Sequence, residues 1–435
     1  MPNRKKLLLP FILILAIVTA MTACSKKTGQ NAEKAYDINR YSIAYYENGE
    51  WRFENHGTGT SEDSVFELAS NGKVVTAYIT MQLIQEGKLH LEDKIGPYLN
   101  SSLLTEDDRI EHITIKQLLC HTAGFSPSFE LGIDKKLYSA PGEKFRYSGV
   151  GYIYLQSVIE HVSGMTINQA ARHYVFEPLG MDNSTFGYAK TVTPYMNASS
   201  AVLYALAVFV IAFLVLLLLA ALIGRMTKFQ FFSFQSGMIA CVALASVINI
   251  VFLLVVFVSK VLVVFLGYLL LVGLALFITR KHKKLFYACI PVLTALILVC
   301  GIMAPVSVPV TNDVTAKKPN CAYTLKSTSK DMAAFCQELM QQYDNADPTV
   351  REMFSPAIVI DSVNSWGLGI AMEAGNRGST YWHSGINPGF QSLIVLDPSQ
   401  RKCMIALTNS DRGLDFCKDK ARTFLGVNGD WNIPR

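Results

Sequence analysis

The residues from 201 to 303 are almost uninterrupted hydrocarbon, and they limit the fold more than any other feature of the sequence. Four segments there, 201–224, 236–258, 261–279 and 285–303, approach or exceed the ~20 apolar residues that a bilayer-spanning helix requires. Arg225 and Lys228 follow the first segment, Arg280, Lys281, Lys283 and Lys284 follow the third, and only Lys260 separates the second from the third. Positively charged loops stay cytoplasmic, so the first span is predicted to run inward and the fourth outward. The polar regions on either side of the insert then lie on the same, exported face. They can form one domain split by the spans, or two separate modules on a membrane bundle. The spans hold almost no ionisable group, which argues against an ion pathway and for anchoring or binding of a lipid-linked partner.

The N-terminus agrees with export. Arg4, Lys5 and Lys6 precede an apolar run over 7–20, and Met21-Thr22-Ala23-Cys24 leads into Ser25, Lys26 and Lys27. Residues 1–23 therefore read as a lipoprotein-type signal peptide with Cys24 as the lipid acceptor; an uncleaved anchor, the alternative, exports the chain equally. The 51% hydrophobic content fits a partly membrane-embedded chain, and a net charge of +5 beside apolar segments gives no nucleic-acid signature. Of nine cysteines, Cys120, Cys321, Cys336, Cys403 and Cys417 remain outside the lipobox and the spans, without metal-ligand spacing. Neither a metal, an organic cofactor nor a disulfide framework is expected.

Chemistry concentrates at Phe66-Glu67-Leu68-Ala69-Ser70-Asn71-Gly72-Lys73, a strand end running into an apolar helix over 74–84. Positions i and i+3 on a helix are neighbours, so the Ser70 hydroxyl and Lys73 amine are predicted to meet. A lysine whose pKa is lowered by burial can accept a serine proton and make the hydroxyl nucleophilic. Ser-x-x-Lys recurs at Ser327 to Lys330, where a solvated helix start is the simpler reading.

In the first exported half, strands around Asn48-Gly49 predict a hairpin, Gly87 stops the Ser70 helix, and a helix over 113–119 ends at Cys120-His121. His121 reads as a histidine satisfied by local backbone. Tyr147, in a loop before a helix over 152–162, is either a packing residue with a wet hydroxyl or a phenol that shuttles protons for Ser70. In the second half the sequence predicts an amphipathic helix over 324–340, a strand over 366–370, and strands over 390–396 and 404–408 joined through Asp397-Pro398. His383-Ser384-Gly385 is placed on an edge strand facing the serine, its glycine allowing close approach of substrate backbone.

This ordered set resembles the serine beta-lactamase-related family, which includes class C beta-lactamases, D-Ala-D-Ala carboxypeptidases, D-aminopeptidases and esterases. The matching runs are Phe66 to Lys73, Leu118-Leu-Cys-His-Thr-Ala-Gly124, Pro141-Gly142, Tyr147-Ser148-Gly149, Phe176-Glu-Pro-Leu-Gly-Met181, and His383-Ser384-Gly385 with Pro388-Gly389-Phe390. The resemblance covers nearly all of both exported segments. It implies an α+β fold with a five-stranded antiparallel sheet, flanking helices and a helical subdomain, here interrupted by the transmembrane bundle: 25–199 and 306–435 as the two parts of the hydrolase domain, 200–305 as the insert. It implies Ser70 as the acylated nucleophile, Lys73 as its proton partner, Tyr147 as general base, and His383 as a group that tunes Tyr147 or binds a substrate carboxylate. The backbone N–H groups of Ser70 and Ile386 would form the oxyanion hole, with Ser384, Gly385 and Gly149 lining the substrate cleft. Two positions depart from the pattern: Gly149 stands where an asparagine is usual, and Gly72 where a serine or threonine is usual. The expected activity is hydrolysis of peptide, amide or ester bonds in cell-envelope substrates through an acyl-serine, on the outer side of a bacterial membrane. The alternatives are a penicillin-binding sensor that acylates without turnover, and an inactive envelope binding protein.

Overall fold

The computed structural model describes residues 36–126, 135–195 and 319–434, apart from 101, 104 and 106. The proposed signal peptide, Cys24 and all four apolar segments of the insert lie outside the described residues; among those described, no helix is long and apolar enough to cross a membrane. In chain order the first half supplies β1 (Tyr41–Glu47), β2 (Glu50–His56), β3 (Phe66–Ala69), α1 (Gly72–Gln85), α2 (Ile115–Leu119), α3 (Gly149–Ser163) and α4 (Ile167–Ala171). The second half supplies β4 (Leu325–Ser327), α5 (Ser329–Asp344), α6 (Pro348–Met353), β5 (Ile358–Val359), β6 (Asn364–Trp366), β7 (Ala371–Gly375), β8 (Gly378–Asn387), β9 (Phe390–Asp397), β10 (Lys402–Thr408) and α7 (Gly413–Leu425).

The two halves close into one antiparallel sheet of order β2-β1-β10-β9-β8-β7-β6-β5. The seam is β1 against β10, in register from Tyr41↔Thr408 to Tyr46↔Cys403, and a second junction joins β3 to β4. The expected five strands are present as β2, β1, β10, β9 and β8; the short strands β7, β6 and β5 extend the sheet to eight. Side chains alternate across a strand, and here both faces are covered. Cys403, Ile405 and Leu407 of β10 join the core that includes Phe335 and Leu339 of α5, while Met404 and Ala406 join Phe416 and Ala421 of α7.

Three local readings change. The predicted strand over 366–370 stops at Trp366, because Gly367 N–H bonds back to Ile370 O (2.9 Å) and Gly369 takes φ +83° against α1, turning the chain into β7. The predicted helix over 324–340 starts at Ser329, since Leu325–Ser327 is drawn into pairing with β3 and Thr328 caps the helix by accepting from Asp331 N–H. The run at Ser327 to Lys330 is therefore not a solvated turn: Ser327, Thr328 and Ser329 are fully buried and only Lys330 is exposed.

The hairpin forms as expected, with Asn48 at φ +56° and Gly49 at φ +88°. Helix α1 is buried continuously from Gly72 to Met81, and Thr76 and Thr80 satisfy their hydroxyls on the carbonyls of Gly72 and Thr76 (2.8 and 2.9 Å). Its large apolar side chains contribute about 1.5–3 kcal/mol each. A lysine in such a helix must leave water behind.

Candidate active site

Ser70 sits where β3 turns into α1. Ala69 has φ +49°, a left-handed conformation that costs a non-glycine residue ~1 kcal/mol or more, and the turn lifts Ser70 out of the strand onto the first turn of the helix. Lys73 Nζ lies 2.9 Å from Ser70 Oγ and 2.6 Å from the Ala322 carbonyl oxygen. Lys73 is 1% exposed, and burial lowers its pKa from 10.5 to about 7, the nearby Cys321 opposing the shift. A neutral amine held between a hydroxyl and a carbonyl can keep one hydrogen on the carbonyl and offer its lone pair to the hydroxyl proton.

Tyr147 closes over this pair. Lys73 Nζ is 5.1 Å from the centre of the Tyr147 ring. The phenol oxygen is shielded; burial raises its pKa, and the neighbouring Ser70 hydroxyl partly offsets the rise. The His383 ring is 6.0 Å from that of Tyr147, and its Nδ1 donates to Ser384 O (2.9 Å), leaving Nε2 as an unpartnered acceptor. Burial, and then the charge of Lys73, holds the His383 pKa down to about 3, so the imidazole is neutral.

His383 lies on β8 at the point where that strand becomes an edge. The last residue of β8 paired with β7 is Trp382, opposite Ala371, so from His383 onward β8 has only β9 beside it. Asn387 and Phe390 close a two-residue turn, Pro388-Gly389, and exchange hydrogen bonds; by alternation His383 and Gly385 bond to β9, while the N–H groups of Ser384 and Ile386 point to the open side. Strand β3 lies against β8 and β9, so close that a Cβ on Gly385 would sit 2.0 Å from Leu68 O. Ser392 locks the crossing: its hydroxyl donates to Leu68 O (3.1 Å) and accepts from Asn71 Nδ2 (2.8 Å).

Ser70, Lys73, Tyr147 and His383 are thus brought to one cleft, with Ser384 and Gly385 buried along its edge strand and the Ile386 side chain 59% exposed at its lip. Gly149, the first residue of α3, is buried and contributes no side chain. The departure at Gly72 has a packing cause, because a Cβ there would lie 2.9 Å from the Phe186 ring and 3.1 Å from Cys321 O. Sequence reasoning missed Ala322. A backbone carbonyl carries no sequence signal; Asn320 to Ala322 is merely the turn where the described chain resumes after the insert. His121 bonds to local backbone as expected, its Nδ1 accepting from Ser148 N–H at 3.1 Å, while its Nε2 is buried without a partner among the described residues. Among the described residues no group of His, Cys, Asp and Glu has the arrangement of a metal site.

The Beta-lactamase family model matches residues 26–232 and 303–428. Among curated proteins, Protein flp of Staphylococcus aureus (strain MW2) is 30% identical over 143 residues, 29% of each chain. Penicillin-binding protein 4 of Amycolatopsis lactamdurans is 29% identical over 143 residues, 29% of this chain and 38% of the relative. The chain spans less than half the length of these curated relatives in the match. A D-stereospecific amidohydrolase from Streptomyces sp. superposes with TM-score 0.58 at 15% identity, covering 91% of this chain and 96% of the other, a likeness of fold.

Proposed function

The chain belongs to the beta-lactamase family, and from that premise we propose that it is a membrane-anchored extracytoplasmic serine hydrolase that cleaves peptide, amide or ester bonds through an acyl intermediate on Ser70. The observation that carries this reading is the 2.9 Å contact between Ser70 and a lysine whose pKa burial has lowered to about 7. Neutral Lys73 takes the Ser70 proton as Oγ attacks the substrate carbonyl. The N–H groups of Ser70 and Ile386 receive the developing oxyanion, each such donor contributing about 3 kcal/mol to the transition state. Tyr147 passes a proton to the leaving group and then activates the deacylating water, with neutral His383 orienting the phenol or hydrogen-bonding a substrate carboxylate. A penicillin-binding protein among the relatives and an amidohydrolase among the fold neighbours support amide or peptide substrates of the cell envelope.

The full-length protein in detergent, treated with a fluorophosphonate or a fluorescent penicillin, is expected to take up label that Ser70→Ala abolishes. It is also expected to hydrolyse a nitrophenyl ester about 10³-fold or more faster than that variant. Absence of both overturns the reading. A second reading, a sensor that acylates without turnover, draws on Gly149, which brings no side chain where the resemblance expects an asparagine. Mass spectrometry decides between them: the acyl adduct disappears within minutes in the hydrolase and persists in the sensor.

The anchoring part of the proposal places four spans within 201–303 and lipid on Cys24. The family match leaves out 233–302, which holds the second and third apolar segments and nearly all of the fourth, while its first part runs through 201–224. In intact cells, cysteines replacing Lys228 and Lys283 are expected to be shielded from an impermeant thiol reagent, while cysteines replacing the exposed Lys94 and Ser399 react. Labelling at all four positions would refute the even-span arrangement.

A further inference from the structure

The general base proposed above is bracketed on both sides by one side chain and backbone unit that the mechanism does not use. His121 accepts Arg146 N–H on its carbonyl (2.7 Å) and Ser148 N–H on its Nδ1 (3.1 Å), so it binds the residues immediately before and after Tyr147. Its ring is 4.4 Å from the Tyr147 ring, nearer than Trp366 at 5.7 Å or His383 at 6.0 Å. The residue adopts φ +57°, a conformation rare outside glycine that His, Asn and Asp tolerate best, and this turns the imidazole inward.

Because Nδ1 accepts, the single hydrogen of the neutral ring sits on Nε2. That N–H is buried and has no partner among the described residues, an arrangement that needs a reason. His383 has the opposite tautomer, its hydrogen on Nδ1 and its Nε2 bare. The two rings packed against Tyr147 thus carry a donor and an acceptor at their Nε2 atoms, and neither is hydrogen-bonded to the phenol oxygen while Tyr147 keeps its proton.

We infer that His121 is a positioning residue for Tyr147: it holds both flanking backbone amides and presents Nε2–H as a donor that favours the phenolate when Tyr147 gives up its proton. The inference rests on the proposed role of Tyr147. The other titratable groups packed against the pair are Lys73 from α1, Tyr152 from α3 and His383 from β8, with Cys120 and Cys321 next to Tyr152.

Two substitutions separate the positioning of backbone from the donor. His121→Asn tolerates the left-handed backbone and keeps an acceptor near Nδ1 but offers nothing at Nε2; His121→Gln keeps a distal donor. With 4-nitrophenyl acetate as probe, His121→Asn is expected to lose about 10²-fold in kcat with KM little changed, and its alkaline-rising limb is expected to move to higher pH. His121→Gln should stay within about tenfold of wild type with the limb in place. Wild-type-like kcat in His121→Asn, or equal loss in both variants with an unmoved limb, overturns the inference. If neither variant folds, 15N-labelled histidine spectra of the wild-type protein decide, His121 being identified by coupling across its hydrogen bond from Ser148. Hydrogen on Nε2 upholds the inference and hydrogen on Nδ1 overturns it. Failure of the functional reading looks different: the wild-type protein itself would then show no Ser70-dependent turnover.

Discussion

Replacing Lys73 by methionine is expected to lower kcat/KM toward an activated ester by about 10³- to 10⁴-fold and to erase the rise in rate that wild type shows through about pH 7. Methionine fills a similar volume in the continuously buried first turns of α1, so the helix keeps its packing while Ser70 loses the amine at hydrogen-bond distance. The same variant reports on stability. A lysine near 10.5 in the unfolded chain and near 7 in the folded one binds more protons unfolded, so wild-type stability climbs as pH rises from about 7 towards 10.5, and the burial penalty is complete below that window. Lys73→Met removes this slope, and leaves the Ala322 carbonyl without its lysine partner at a cost of about 1–3 kcal/mol. Thermal unfolding from pH 6 to 9 should therefore show wild type gaining on the variant as pH rises. Parallel curves, together with retained turnover, would sink the assignment of Lys73 as a neutral base.

Gly385→Ala is expected to cost at least 10²-fold in acylation rate and to destabilise the fold by about 1–3 kcal/mol or more. The added Cβ would lie 2.0 Å from Leu68 O, 2.9 Å from Leu68 C and 2.7 Å from Ser392 Oγ. The closest neighbour is backbone, so trimming Ser392 to alanine should not rescue the variant. Relief requires β3 to move off β8, and Ser70 follows Leu68 by only two residues, so Ser70 moves relative to the edge strand. Rapid-mixing acylation and thermal unfolding test both halves of the expectation. A variant with normal acylation would show that the β3–β8 distance does not set the geometry of the cleft.

Much of this was legible before any coordinates. The Ser70–Lys73 contact follows from helical periodicity alone, and the burial that lowers the lysine pKa follows from the apolar run behind it. The Asn48-Gly49 hairpin, the Gly87 stop and the strands on either side of Asp397 depend on local backbone chemistry, and local chemistry is what a sequence displays. The errors arose where a distant partner overrode a local pattern. Leu325–Ser327 looks like the start of a polar helix until β3 is there to pair with it, and Trp366 to Ile370 reads as one strand until Gly369 has to turn against α1. His121 bonds to local backbone as its sequence predicts, and only the packing of Tyr147 against the ring shows what surrounds its other nitrogen.

By itself the sequence determined the Ser70–Lys73 pair, the helix that desolvates it, the family's order of motifs and the apolar stretch between them, because each is written in neighbours a few residues apart. Only the tertiary structure decided that β1 would zip to β10 across that insert, that Ala322 would hold Lys73, and that β8 would run free of β7 from His383 onward. Those contacts join residues far apart in the chain, and their geometry is set by which surfaces exclude water together, a property no short stretch of sequence carries.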